Sequence, residues 1–332
     1  MKALEAYVHG TAVALGNCPT AIVVSRHGEI LFEKYAAGID GAAPLGPVDA
    51  DSLWPIYSAT KSYISALLLS LAKDGVLTLD DPVSGYLPEF GTHGEGEFDR
   101  RTVTIRHLAS HTSGAVSAER SPDLNIVRID TPPGEVFLYS GLGMHILEKT
   151  LEAAAGDDLE ALLNERVILP MGLKHTRYVY KLDPSLPLLP VTNTEVDDPA
   201  RNFSFVSKGM RAHYGLYGTA RDCNRFGQMW LSNGTFEGHT YFTPEGKREA
   251  WSYHGTRDSD KGHYGLLWWL FEEDGGYVIS GAGAKATAVV PETGVVITVL
   301  RLPLKPENGP FNFYLDKQKL AQVGKMLGEK SE

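Results

Sequence analysis

The chain reads as an α+β fold: one antiparallel sheet flanked by helices from the chain ends, and a mostly helical lobe beside it. Three observations predict it. Strand-type apolar runs cluster at the two ends of the chain, helix-type periodicity fills the middle, and turn residues punctuate both. The composition allows a large core. Hydrophobic residues make up 43% of 332 and charged residues 22%, ordinary globular values that exclude a disordered chain.

Taken in order, residues 3–15 form a weak amphipathic helix interrupted by Gly10. Residues 20–35 read as a hairpin whose turn is Arg26-His-Gly-Glu29. A Gly/Ala/Pro-rich loop covers 38–47. Residues 58–74 are helical, because Ile64, Leu67, Leu68 and Leu71 recur at spacings of three and four, and Gly75 stands where a left-handed cap is wanted. Helices over 144–155, 159–166 and 220–231 follow, among Pro- and Gly-rich loops. Four strands are expected at 264–271, 276–280, 286–290 and 295–300, and a last helix begins near Tyr314. The division predicted is a sheet region from 1–50 and 251–332, a mostly helical region from 51–250, and a site in the cleft between them.

The net charge of −10 repels phosphate backbones, so nucleic acid is not an expected partner. Two cysteines, Cys18 and Cys223, fall short of a disulfide scaffold or a four-cysteine zinc site and read as reduced thiols. No run of about 18 apolar residues occurs, so no membrane-spanning helix is expected. The first residues lack the apolar stretch of a signal peptide, which suggests a cytoplasmic chain, or a periplasmic one if a leader has been removed.

Ser58-Ala-Thr-Lys61 is the first chemical motif. Ser58 sits at a helix start, where free backbone N–H groups and the dipole favour negative charge. Lys61, three residues on, shares its side of the helix, and burial could lower its pKa enough to take the serine proton. An N-cap role for Ser58 is the plain alternative. A second Ser-x-x-Lys, Ser70 to Lys73, lies mid-helix and is read as structural. Tyr139-Ser140-Gly141 is the second motif. Its phenol could shuttle a proton, with the ionised form favoured beside a cationic lysine. Ser280-Gly281-Ala282-Gly283 is the third. Its small residues let a substrate approach the backbone, where an N–H together with that of Ser58 would hold an oxyanion.

These three motifs, in this order, match a known pattern of Ser-x-x-Lys, a middle motif and a Lys-Thr-Gly-type strand motif. The chain resembles the serine β-lactamase and penicillin-binding-protein superfamily, on the branch of class C β-lactamases, D-aminopeptidases and related esterases. Tyr57-Ser-Ala-Thr-Lys-Ser, Leu77-Thr-Leu-Asp-Asp-Pro, Val103-Thr-Ile-Arg-His-Leu-Ala-Ser-His-Thr-Ser-Gly114, Pro132-Pro-Gly-Glu, Gly215-Leu-Tyr-Gly-Thr-Ala-Arg-Asp and Tyr264-Gly-Leu-Leu-Trp-Trp carry the resemblance.

The resemblance implies a β-lactamase/DD-peptidase-like fold and acyl transfer. Ser58 would attack a carbonyl, Lys61 would be its base or proton partner, and Tyr139 would relay a proton to the leaving group. The N–H groups of Ser58 and Ala282 would hold the oxyanion, with Ser280, Gly281, Gly283 and Gly141 lining the substrate. No metal and no organic cofactor is implied, and the partner is a small ester or amide. The order in which lysine and tyrosine act stays open.

Two positions depart from the family. Gly141 replaces the asparagine of a Tyr-x-Asn motif, and Ile279 replaces a Lys or His that helps bind a substrate carboxylate. Both departures argue against a strong β-lactamase and toward esterases and nylon-oligomer (6-aminohexanoate) hydrolases. Lys285 could restore some positive charge, but reads better as a strand-surface residue. Trp54 and Tyr217 are expected at the cleft by family position, and Trp268 and Trp269 on opposite sheet faces.

A non-catalytic or single-turnover binding module is the alternative. A metal hydrolase is weaker: His107 and His111 share a helical spacing, but no Glu completes a zincin motif. An α/β-hydrolase is disfavoured because no Gly-x-Ser-x-Gly occurs.

Overall fold

The computed structural model describes residues 18–37, 47–117, 123–178, 211–256, 263–302 and 313–329, together with Lys2, Leu4, Ala6, Tyr7 and Lys181. The expected 38–47 loop lies outside these residues except for Pro47. So does most of the 3–15 helix, of which Leu4, Ala6 and Tyr7 are helical.

One seven-stranded sheet unites both ends of the chain. In space its strands run His263–Tyr264, Trp269–Phe271, Gly276–Gly281, Lys285–Val290, Val295–Arg301, Thr20–Arg26 and Glu29–Ala36. Every neighbouring pair is antiparallel. The sequence makes the first strand an interior one, next to the edge, by making it apolar on both faces. Ile22 and Val24 pack outward with Leu320, Ala321 and Val323 of the Phe313–Glu329 helix. Ala21 and Val23 pack inward with Phe226 of the Ala220–Leu231 helix. The sheet is thus covered on both sides, and alternation of side chains divides each strand between two cores.

The hairpin turn is as read: His27 and Gly28 both take positive φ, the geometry that matches strand twist in a two-residue turn. The 264–271 run is not one strand. It breaks into His263–Tyr264 and Trp269–Phe271, and Leu267 adopts φ +64 between them. The cause lies in where its N–H groups go. Leu266 donates to the Ala250 carbonyl and Leu267 to the Ala109 carbonyl, both outside the sheet. Trp268 is therefore drawn into the core beside Trp230 and Trp251, while Trp269 stays half-buried.

The middle of the chain supplies helices Thr60–Lys73, Ile105–Ala109, Gly141–Ala155, Leu159–Leu163, Ala220–Leu231 and Pro244–Ala250. The Ile105–Ala109 and Pro244–Ala250 helices have no counterpart in the sequence reading. Five and seven residues are too short to show a periodicity. The 159–166 helix is real but turns into a π-helical segment, Asn164–Ile168. Among the described residues no helix is long and apolar enough to cross a membrane. Cys18 and Cys223 are free and buried.

Candidate active site

Ser58 is delivered by a short, tightly fixed approach. Trp54–Pro55 pairs with Tyr217 and Gly218, and the Ile56 N–H donates to Leu216 at 3.0 Å. Tyr57 then turns with φ +47, a conformation that costs a non-glycine residue about 1–3 kcal/mol and recurs at active sites. The chain winds one 3-10 turn, Tyr57–Ala59, and continues as the Thr60–Lys73 helix. Ser58 does not cap that helix. Ala59 occupies the N-cap with no side-chain bond, and the Ser58 hydroxyl hydrogen-bonds the Tyr139 phenol. The second motif is structural: Ser70 is buried and accepts from Arg166, and Lys73 pairs with Asp74. Gly75 takes φ +72, and Gly75 and Val76 donate to Ala72 and Leu71, closing the helix as its glycine predicts.

Lys61 is 1% exposed. Its Nζ donates to the His213 carbonyl at 2.8 Å and stands 4.8 Å from the centroid of the Tyr139 ring. No carboxylate pairs with it among the salt bridges of the described residues. Burial therefore holds its pKa well below the ordinary lysine value, a shift toward the neutral amine. Tyr139 moves the other way. Burial pushes its phenol up to about 12, against a smaller opposing effect of the Ser58 hydrogen bond. The expectation that a lysine cation would favour the phenolate is corrected, because burial of the phenol itself outweighs any such effect and favours the protonated form.

His111 lies beneath Tyr139, with ring centroids 4.5 Å apart. It accepts the Ser140 N–H on Nδ1 at 3.3 Å. Burial first, and the nearby Lys61 second, keep it neutral. Ser140 caps the Gly141–Ala155 helix by accepting from the Gly143 N–H at 2.9 Å. Gly141 is the first residue of that helix and sends no side chain toward Ser58, so nothing replaces the family's asparagine there.

The third motif closes the opposite wall. Ser280 and Gly281 end a strand, Ala282 and Gly283 turn, and Lys285 begins the next strand. Gly281 abuts the nucleophile approach so closely that a Cβ there would collide with the Ile56 carbonyl oxygen. Ala282, the next residue, is exposed. The motif is thereby set against the backbone that leads into Ser58. Ile279 is buried in the inner core. Lys285 is not a strand-surface residue. It is 1% exposed and shares the inner face of its strand with Thr287 and Val289. Period-two alternation was the signal that could have shown this.

Other expectations resolve as follows. Trp54 is fully buried and Tyr217 is 4% exposed, so both belong to the wall behind the site rather than its surface. Trp269, not singled out for the site in the sequence, stacks on Tyr139 at 6.2 Å, and the Lys317 Nζ stands 4.5 Å over its ring. The His213 carbonyl was also missed, and no sequence signal marks a carbonyl. The segment that presents it is anchored by Arg211, whose guanidinium binds Glu148 at 3.0 Å and also Glu152 and Asp158. His107 and His111 do not converge. The His107 Nδ1 accepts the Thr104 N–H in a capping box. No group of three or more His, Cys, Asp or Glu side chains among the described residues is placed to hold a metal.

A helix-flanked antiparallel sheet carrying Ser-x-x-Lys at the start of an inner helix, with a tyrosine over the lysine, defines a class of serine hydrolases. The family model described as Beta-lactamase matches residues 14–316, and the chain belongs to that family. The esterase EstB of Burkholderia gladioli is 30% identical over 183 residues, a match that spans 47% of this chain and 46% of that protein. Penicillin-binding protein 4 of Amycolatopsis lactamdurans is 27% identical over 320 residues, 84% of this chain and 79% of that one. The crystal structure of a β-lactamase/D-alanine carboxypeptidase from Yersinia pestis superposes with a TM-score of 0.73 at 21% identity, covering 99% of this chain and 97% of that one. The fold is therefore that of β-lactamases and penicillin-binding proteins.

Proposed function

We propose that this serine hydrolase cleaves small esters or amides through an acyl-enzyme on Ser58, with at most weak turnover of β-lactams. The observation that carries the reading is a buried Lys61, bonded to a carbonyl and 4.8 Å from the ring of a Tyr139 that is hydrogen-bonded to Ser58; burial shifts the lysine toward the neutral amine and the phenol toward its protonated form. A neutral amine can take a proton, and a protonated phenol can give one.

The steps balance on these groups. Lys61 accepts the Ser58 proton as Oγ attacks the substrate carbonyl carbon. The oxygen, now negative, rests on the N–H groups of Ser58 and Ala282. Collapse of the tetrahedral species expels the leaving group, which takes a proton from Tyr139, and the Lys61 proton restores the phenol. Water then repeats the attack on the acyl-enzyme and frees Ser58. Each donor to an oxyanion contributes about 3 kcal/mol in such sites, so the chemistry does not depend on the missing asparagine.

Substrate choice follows from the two departures. Gly141 offers no side-chain amide for a substrate amide, and Ile279 puts an apolar group where a cation would meet a carboxylate. Both favour short acyl esters over penicillins. The ester-cleaving relative from Burkholderia supports the same choice. Initial rates should be compared for p-nitrophenyl acetate, p-nitrophenyl butyrate, a 6-aminohexanoate dimer and a penicillin, with Ser58→Ala in parallel. The expected order places the esters first and the penicillin last, with all turnover lost in the variant. A penicillin turned over fastest would overturn the substrate reading. One product released per enzyme and no further turnover would favour the alternative, a binding module that acylates once.

A further inference from the structure

Lys285 has no place in the chemistry above, yet it is buried under both halves of the site. Its Nζ donates to the carbonyls of Ala282 and Gly283, at 3.3 and 3.5 Å. The same Nζ stands 4.9 Å from the centroid of the Tyr57 ring. Ala282 carries one of the two N–H groups offered to the oxyanion. Tyr57 is the strained residue whose carbonyl carbon bears the other, the N–H of Ser58. The side chain lines a small internal cavity with Ala59, Tyr63, Cys223 and Leu300, beneath the 3-10 turn that holds Ser58.

We propose that Lys285 is a positioning residue: it ties the 282–284 turn to the Tyr57–Ser58 backbone and so fixes the spacing of the two oxyanion donors. The inference rests on the hydrolase reading above.

The physical case is one of cost against gain. An amine buried without a carboxylate is expensive, and an apolar chain of similar length would fill the same space without that cost. What only the amine supplies is donors, aimed at two carbonyls that a tight turn leaves unsatisfied within the strands, and a positive pole for the Tyr57 ring. Burial pushes Lys285 down to about 7, with the Cys18 thiol the one titratable group that offsets it. Both the ammonium and the amine can donate to the two carbonyls, so the hold on the turn survives in either form, while the attraction to the Tyr57 ring belongs to the ammonium. Tyr57, at φ +47, has the Lys285 Nζ beside its ring, and Gly281 abuts the preceding residue, Ile56.

Lys285→Met, Lys285→Gln and the cavity control Leu300→Ala should be compared with wild type. The readouts are thermal unfolding, kcat and KM for p-nitrophenyl acetate, and the rate at which a fluorophosphonate probe labels Ser58. A donor held out of place costs transition-state binding but not substrate binding. Lys285→Met should therefore keep KM within about twofold and lose about 100-fold in kcat and labelling rate. Lys285→Gln, which keeps an N–H donor, should recover about tenfold of that loss. Leu300→Ala should unfold at lower temperature with kcat within about threefold of wild type.

Wild-type kcat in Lys285→Met would overturn the inference, as would an equal loss of kcat in Leu300→Ala, which would make the effect one of packing. Should Lys285→Met fail to fold, Lys285→Gln decides: lowered kcat at unchanged KM supports the tie, and unchanged kcat overturns it. The two readings fail separately. A wild type whose Ser58 takes no label overturns the hydrolase reading and this inference with it. A labelled wild type beside an unimpaired Lys285→Met overturns this inference alone.

Discussion

A lysine that is to accept a proton from serine has to reach the active site without one of its own. Burial shifts Lys61 toward that state, and its partner is a carbonyl rather than a carboxylate. A carboxylate would have restored the charge and removed the base. The sign of the pH dependence follows. In the proposed mechanism Lys61 acts as the neutral amine, and its pKa lies well below the ordinary 10.5, so kcat/KM for p-nitrophenyl acetate should climb with pH along an acid limb well below 10.5. Tyr139, held up to about 12, should keep its proton and add no falling limb below pH 10. An acid limb near 10.5 in the measured profile would mean that Lys61 is an ordinary charged lysine. At this scale the sequence was legible wherever the chemistry lies in a side chain: Ser58, Lys61 and Tyr139 stand together as their motifs suggest. The state of Tyr139 was not legible, because it depends on how far the fold buries the phenol itself. The carbonyl of His213 was invisible for a simpler reason, since every residue has one.

Elements were legible where a local rule decides them. Gly75 ends its helix with the two backbone bonds its position predicts, and His27-Gly28 makes the expected turn. They were illegible where a distant partner decides. The 264–271 run has the composition of a strand, but the carbonyls of Ala109 and Ala250 pull its middle out of the ladder. The same tertiary logic joins the Ala220–Leu231 helix to the sheet. Asn224 donates to the carbonyls of Val23 and Val296, at 3.0 and 3.2 Å, and accepts from Ser25 at 2.6 Å and Gln228 at 2.8 Å. It satisfies four groups that have no water to turn to. Asn224→Ala should therefore lower the unfolding free energy by about 2–3 kcal/mol, since it strands buried donors and acceptors. Urea denaturation measures this, and a loss within about 0.5 kcal/mol of zero, the range of ordinary surface substitutions, would show that the clamp is not needed.

At the scale of the whole molecule, the site depends on bringing together segments far apart in the chain. Ser58 comes from the start of an inner helix, Tyr139 from the turn before another, and the Gly281–Ala282 turn from the far end of the sheet. The sheet could be foreseen because strands at both chain ends have no neighbours unless they find each other. The interior of the site could not, because the close approach of Gly281 to the Ile56 carbonyl pairs two residues that no sequence pattern connects. What the proposed mechanism requires is a covalent bond to one oxygen. The direct test is intact-protein mass spectrometry of wild type and Ser58→Ala, quenched during turnover of p-nitrophenyl acetate. The account predicts that wild type gains the mass of one acetyl group, located by fragmentation to Ser58, and that the variant gains none. An acetyl group of equal yield in Ser58→Ala, or turnover without any adduct that survives loss of Ser58, would contradict it.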